Sequence, residues 1–241
     1  MSDRTVILIQ CRLESTRLPR KALIDICGRP LLNQLFRRMA ACRQAECVAV
    51  CCPESDVEEI KKATLLPCFG GPEQDILTRL MDAANAYQAD RIVRVTGDNP
   101  LSDPIMIDHM INLSKSYDTP IITNWKPRLF PDGVDAEVYK VTNLRAISRD
   151  LTDMGDREWF ASWCANNLPA DWIQGLKSNV DRSLYRITVD YPEDLDVVRA
   201  IFRAMKNEVW DSSMVINWLD QHPEIKKMNK HRISDFGARP K

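Results

Sequence analysis

Residues 5 to 11, TVILIQC, form a near-continuous apolar run, the pattern of a strand covered on both faces within a parallel sheet. A polar, basic loop, RLESTRLPRK, follows it. Pro30 then opens a segment in which Leu31, Leu32, Leu35, Phe36 and Met39 recur at spacings of three and four, predicting a helix. The alternation continues with a strand near 47 to 52, a helix near 55 to 64, a short strand near 65 to 69, a helix near 74 to 88 and a strand at 91 to 95. Strands alternating with helices imply right-handed crossovers, so the pattern predicts a doubly wound α/β sandwich with a mainly parallel sheet and helices on both faces.

Beyond a helix near 104 to 117 the pattern loosens. A strand near 120 to 124 and a loop, KPRLFPDG, lead into VDAEVYKV, whose alternation predicts a half-exposed antiparallel strand. In that strand Val134, Ala136 and Val138 face the core, and Asp135, Glu137 and Tyr139 lie on the other face. Helices at 142 to 151 and 156 to 167, a strand YRITV at 185 to 189 and a long helix from Pro192 complete the prediction. Residues 121 to 175 read as a small inserted lobe of a single domain spanning 1 to 241. The last stretch, with Lys226, Lys227, Lys230, His231, Arg232, Arg239 and Lys241, is basic without apolar periodicity and is expected to be frayed or in contact with a second subunit. The chain has no internal repeat.

Composition narrows the function classes. With 44% hydrophobic and 28% charged residues among 241, the chain is of ordinary globular type. Its 33 basic residues nearly cancel its 34 acidic ones, so phosphate chemistry must come from a local cluster, and nucleic acid is not an expected partner. The amino-terminal apolar run is too short for a signal peptide, and no stretch approaches the roughly 18 apolar residues of a membrane helix, so a cytoplasmic protein is expected. The eight cysteines read as buried reduced thiols. Cys47 and Cys51 lie in one β-type run, where about 3.3 Å per residue holds them too far apart to share a zinc ion.

Three segments carry candidate chemistry, each at the carboxyl end of a strand, where ligands bind in open α/β sheets. The first loop holds Arg12, Arg17, Arg20 and Lys21 against a single acid, Glu14. Such a loop is either a solvated basic turn or an anion site, since Arg grips two phosphate oxygens at once and Lys supplies a mobile point charge. It matches neither GxGxxG nor GxxxxGKS, which disfavours dinucleotides and the P-loop. In RIVRVTGDNPLSDP a tight turn presents Asp98, either as the cap of its own turn or as a magnesium ligand beside a polyphosphate. Asp103, before Pro104, suits a helix N-cap. In YRITVDYPEDLDVVRAI the apolar run ends in Asp190, followed by a proline-opened helix with Glu193 and Asp194 in its first turn, where negative charge suits the helix dipole.

The order of these segments carries a resemblance. ILIQCRLESTRLPRKALIDICGRPLL, the Gly-Asp-x-Pro-Leu turn at 97 to 101 and the Val-Asp-x-Pro-Glu-Asp-Leu segment at 189 to 195 resemble the sugar-acid cytidylyltransferases, in particular the SpsF-like spore coat polysaccharide branch. The resemblance spans roughly residues 5 to 205 and implies a nucleotide-diphospho-sugar-transferase-like fold. It implies that Arg12, Ser15, Arg17 and Lys21 cradle the phosphates of CTP, and that Asp98 and Asp190 hold Mg²⁺ (or Mn²⁺). It makes Asp75, in GGPEQDILTRL, a nucleotide contact, although a helix cap explains that residue equally. It places Asp135 and Glu137, in FPDGVDAEVY, and Arg157, in DREWFASW, at an anionic acceptor. The chain departs from the family's pattern at two places: Leu13 and Glu14 stand where glycine is often found just before the Ser-Thr, and Trp159 stands where histidine is usual. Trp159, Phe160 and Trp163 read as packing residues, and His109, His222 and His231 have no catalytic assignment.

The reaction so implied joins CMP from CTP to a sugar acid or related metabolite in surface polysaccharide or glycoconjugate biosynthesis, with Lys21, Arg17 and Asp98 as its catalytic groups. The resembling enzymes often pair, so a homodimer is expected. The rivals are a nucleotide-sugar glycosyltransferase, disfavoured because TGDNPL holds no Asp-x-Asp, and a non-catalytic nucleotide-sugar-binding paralogue, which Glu14 and Trp159 keep in view.

Overall fold

A computed structural model describes residues 3–205 and 210–235. The apolar run at the amino terminus is strand β1 (Thr5–Gln10), with Ile7 and Ile9 facing one layer of core and Val6 and Leu8 the other, all without solvent exposure. After a 3-10 turn (Lys21–Leu23) comes α1 (Leu31–Met39), whose N-cap position is Pro30 and whose apolar stripe Leu31, Leu32, Leu35 and Met39 packs on the first layer. The next elements are β2 (Cys47–Pro53), α2 (Val57–Thr64), β3 (Cys68–Gly71), α3 (Ile76–Ala86), β4 (Arg91–Thr96) and α4 (Pro104–Tyr117). Asp103 caps α4 by accepting from the amides of Ile105 at 2.9 Å and Met106 at 3.1 Å, the structural role expected of it.

The second half contains β5 (Ile121–Thr123), β6 (Ala136–Lys140), α5 (Val141–Asp150), α6 (Met154–Glu158), α7 (Phe160–Asn167), β7 (Ile173–Gly175), α8 (Pro192–Met205), α9 (Ser212–Gln221) and α10 (Pro223–Lys227). The seven strands form one sheet in the order β3-β2-β1-β4-β6-β5-β7. Only β6 runs against its neighbours, pairing antiparallel with β4 and β5, and every other pairing is parallel. Helices α1, α4, α8 and α9 cover one face, and α3, α5 and α7 cover the other. This is the doubly wound α/β sandwich of the hydrophobic pattern. Among the described residues no helix is long and apolar enough to cross a membrane.

Several expectations change. Strand β6 is antiparallel as predicted but lies inside the sheet, so Glu137 and Tyr139, expected on an exposed face, are buried at 4% and 1% exposure. Residues 121 to 175 are woven into this sheet through β5, β6 and β7. The run YRITV is buried but is not a strand of the sheet. A single bridge joins Arg186 to Asp132, and the run is otherwise held where Val189 donates to the Asp98 carbonyl at 2.9 Å and Ile187 to the Asp132 carbonyl at 2.7 Å. The helix expected over 156 to 167 breaks at Trp159, whose backbone leaves helical geometry between α6 and α7. Strand β7 is three residues long, too short for a periodic signal. All eight cysteines are free, but burial holds for Cys11, Cys51, Cys52 and Cys164, whereas Cys27 is exposed. Lys226 and Arg232, expected in a frayed tail, pair with Asp220 at 3.0 Å and Glu193 at 2.8 Å; Arg239 and Lys241 lie outside the described residues.

Candidate active site

The loop after β1 is tied down at its neck rather than at its charged tip. Leu13 is buried, its amide donates to Asp56 Oδ2 at 2.8 Å, and its carbonyl accepts from the Arg20 amide at 3.1 Å. Arg20 takes left-handed backbone geometry with φ 57° and pairs with Glu59 on α2. The loop borders a cavity of about 560 Å³, into which Arg12, Glu14, Ser15, Thr16 and Arg20 project beside Asp56 and Glu59. Arg12 is exposed and reaches Glu158 at 3.4 Å, and Ser15 Oγ accepts from the Leu18 amide at 3.4 Å.

The turn carrying Asp98 is pressed against the start of this loop. Gly97 donates to the Gln10 carbonyl at 2.7 Å, and a Cβ there would lie 3.1 Å from both Cys11 Cβ and that same oxygen, so glycine permits the approach. The segment ending in Asp190 comes from the far end of the chain. Val189 N and Thr188 Oγ1 donate to the Asp98 carbonyl at 2.9 and 3.2 Å, which fixes Asp190 beside Asp98.

Lys21 closes the constellation. Its Nζ donates to Asp98 Oδ2 at 2.8 Å and to Asp190 Oδ1 at 2.7 Å, so one ammonium joins the two carboxylates. Arg17 reaches the same Asp190 oxygen at 2.9 Å and lies over the Tyr191 ring at 5.4 Å. Burial opposes ionisation of Asp98, but the Lys21 ammonium outweighs it and holds the carboxyl down to about 2. Burial likewise favours a neutral amine at Lys21, but Asp98 and Asp190 overcome it and raise the Lys21 pKa. At neutral pH Lys21 is therefore a cation facing an ionised Asp98.

The residues expected at the acceptor fall into two sets. Arg157 is buried, and its N–H groups are all taken within the protein: Nε by Asp75 at 2.8 Å, Nη1 by the Ser148 and Leu151 carbonyls, and Nη2 by Thr78 Oγ1 and Ser148 Oγ. Asp75 in turn caps α3 through the Thr78 amide at 2.9 Å. The two residues brace α3 against the α5–α6 region. Glu137 is equally engaged, accepting a forked contact from Arg94 Nη1 at 3.0 and 3.1 Å and from Trp125 Nε1 at 2.6 Å. With Arg94 it forms a buried cross-strand pair between β4 and β6. Phe160 is fully buried and packs on Tyr139 at 5.5 Å, while Trp159 and Trp163 are half-buried.

Asp135 belongs to the other set. It pairs with Arg128, which also reaches Asp132 at 3.3 Å; Asp132 accepts from Arg186 at 2.6 Å, and Arg186 lies 3.5 Å from Asp190. A chain of alternating charge thus runs from Asp135 to Asp190. Burial pushes the Asp135 carboxyl up to about 7 against the pull of Arg128, well above the ordinary value of about 3.9. Because the folded value is the higher one, folding takes up a proton between these limits, and stability from this group falls as pH rises through about 7. Asp135→Asn removes that dependence. Urea unfolding of the variant should lose less stability than wild type between about pH 4 and 7.5; equal slopes would remove the assignment.

Sequence reasoning missed Arg128, Asp132, Arg186 and Asp56. Arg186 sits inside an apolar run, and an arginine there signals a buried partner. Asp194 was read only for its sign at a helix start, yet it is fully buried and accepts from five donors.

Comparison with known proteins agrees with the geometry. A family model described as cytidylyltransferase matches residues 6–150. The spore coat polysaccharide biosynthesis protein SpsF of Bacillus subtilis is 27% identical over 233 residues, covering 91% of this chain and 95% of that protein. The structure of a cytidylyltransferase from Leptospira borgpetersenii serovar Hardjo-bovis matches with a TM-score of 0.86 at 28% identity, over 93% of this chain and 97% of that one. CMP:2-keto-3-deoxy-manno-octonic acid synthetase complexed with CTP matches with a TM-score of 0.66 at 19% identity, over 84% of this chain and all of that one, a likeness of fold. With its matched region covering β1, the basic loop and the Asp98 turn, the chain belongs to the cytidylyltransferase family.

Proposed function

We propose that the protein transfers CMP from CTP to an anionic sugar acid or related metabolite, releasing pyrophosphate, and that Mg²⁺ or Mn²⁺ serves the reaction at Asp98 and Asp190. The observation carrying this reading is the Lys21 ammonium held 2.8 and 2.7 Å from two carboxylates, at the edge of a loop with three further cations. Two carboxylates that already share a cation fit a hard divalent ion, which takes its remaining ligands from phosphate oxygens and water. Bound there, the ion would supply charge neutralisation at the phosphate oxygens.

The residues of the chain do the rest. A hydroxyl oxygen of the acceptor attacks the α-phosphorus and gives up its proton to solvent; its bond to phosphorus forms as the bond from the α-phosphorus to the bridging oxygen breaks, and pyrophosphate leaves with that oxygen and its negative charge. Arg17 and Lys21 face that charge, and Arg12 and Ser15 line the approach of the phosphates. Asp135, at the end of the charge chain leading to Asp190, is the acceptor-side residue that the reading retains. A place in surface polysaccharide synthesis, supported by the SpsF likeness, belongs to the same reading, as do a homodimer formed through residues 121 to 175 and a cytoplasmic location.

A ligand that binds only the folded state raises its melting temperature. CTP with Mg²⁺ should therefore raise it more than ATP, GTP or UTP, and pyrophosphate should appear when a sugar acid is added. An equal shift with UTP or ATP would remove CTP as the donor.

A further inference from the structure

Asp190 sits at the end of a buried segment that lacks a strand's ladder, so something else must aim its carboxylate. Its own amide and that of Tyr191 both donate to Asp194 Oδ2, at 2.9 and 3.0 Å. A side chain in the first turn of α8 reaching back to the residue before it is half of a capping box, and a cap would explain the Tyr191 contact alone. The surroundings of Asp194 go well beyond a cap. Arg186 grips both of its oxygens, Nε to Oδ1 at 2.9 Å and Nη2 to Oδ2 at 2.8 Å. Asn229, from the stretch after α10, donates to Oδ1 at 2.8 Å and also to the Arg186 carbonyl at 3.1 Å. Arg186, Asp194 and Asn229 are exposed by 4%, 0% and 2% respectively.

We propose that Asp194, Arg186 and Asn229 are positioning residues for the cation: a buried brace that fixes the main chain of Asp190 so that its Oδ1 faces Lys21 and Asp98. The inference rests on the reading of Asp98 and Asp190 as the metal pair. Its physical basis is the freedom otherwise left to Asp190. The segment before it is fastened to Asp98 and Asp132 through main-chain carbonyls, which set its height at the rim but leave the peptide after Val189 free to turn. Asp194 fixes that peptide by taking two successive amides on one oxygen. Arg186 and Asn229 hold Asp194 in place, because they partner the lone pairs that the two amides leave open on a buried carboxyl group. Asn229 thus ties the stretch after α10 to the segment that ends in Asp190.

The test compares CTP binding by equilibrium dialysis in Mn²⁺ and in EDTA. The ratio of the two affinities isolates what the cation adds. Supporting residues of this kind are worth about 10- to 100-fold in metal affinity. Asp194→Asn should therefore cut the Mn²⁺-dependent gain about tenfold while leaving affinity in EDTA unchanged. Asn229→Ala, which removes one donor and keeps the carboxylate, should cut it by a smaller factor and covers the case in which Asp194→Asn fails to fold. A lesion that merely loosened the fold would weaken both affinities together, and that result would overturn the proposal, as would an unchanged gain in both variants. Asp190→Asn separates the two levels. If it abolishes the gain while the brace variants keep it, the brace is wrong and the metal pair stands; if it keeps the wild-type gain, the metal reading falls.

Discussion

Lys21→Ala should slow CMP transfer by about a hundredfold or more, the loss typical when one charged contact to a developing anion is removed. The geometry gives the substitution two consequences. On the proposed reading, the departing pyrophosphate loses an ammonium that faces it. In addition, Asp98 and Asp190 lose the cation that both touch, leaving two carboxylates to repel each other across the site. Asp98→Ala should be as damaging, because it removes the acid held down to about 2 that keeps Lys21 in place. Steady-state rates of pyrophosphate release, with circular dichroism as a control for folding, measure both. A variant of Asp98 that retained wild-type turnover would end the metal assignment.

Glu137→Ala should damage the fold rather than the chemistry. Arg94 and Glu137 face each other across β4 and β6 with side-chain exposures of 14% and 5%, and Glu137 also accepts from Trp125. Burial would weaken the Arg94 charge, yet Glu137 more than restores it and raises the Arg94 pKa. Deleting one member of such a pair leaves the other charged and enclosed, which costs about 3–5 kcal/mol. Urea unfolding should show a loss of that size, with the KM for the acceptor unchanged in whatever fraction stays folded. A raised KM at wild-type stability would instead return Glu137 to the acceptor site.

The contrast between Glu137 and Lys21 shows what was legible in the sequence. Apolar periodicity placed α1, α4, β1, β2 and β4 closely, because a helix stripe and a doubly buried strand each write a pattern that depends only on neighbours in the chain. Strand β6 wrote the same alternation as an exposed strand, since Arg94 neutralises Glu137 from a different part of the chain, and no local pattern records such a partner. The run 185 to 189 is buried as β1 is but finds its main-chain partners at Asp98 and Asp132, so its pattern predicted its burial but not its pairing. In the site, Arg17, Lys21, Asp98 and Asp190 each follow the end of an apolar run and could be placed on one rim. Arg157 and Asp75 have the same chemistry but satisfy one another, which only distances reveal. Asp194 was hidden for a similar reason: one acid at a helix start looks like any other until its five donors are counted.

The ammonium of Lys21 reaches 77 residues forward for one acid and 169 for the other. A chain emerging from the ribosome therefore carries its cationic loop long before the second counter-charge exists, and any fragment ending ahead of residue 190 has only half of the pair. Such distant partners form late, because the intervening chain must be ordered before they can meet. Nucleotide transfer is in this sense the last property the polypeptide acquires, and a cut between the two acids would take it away first.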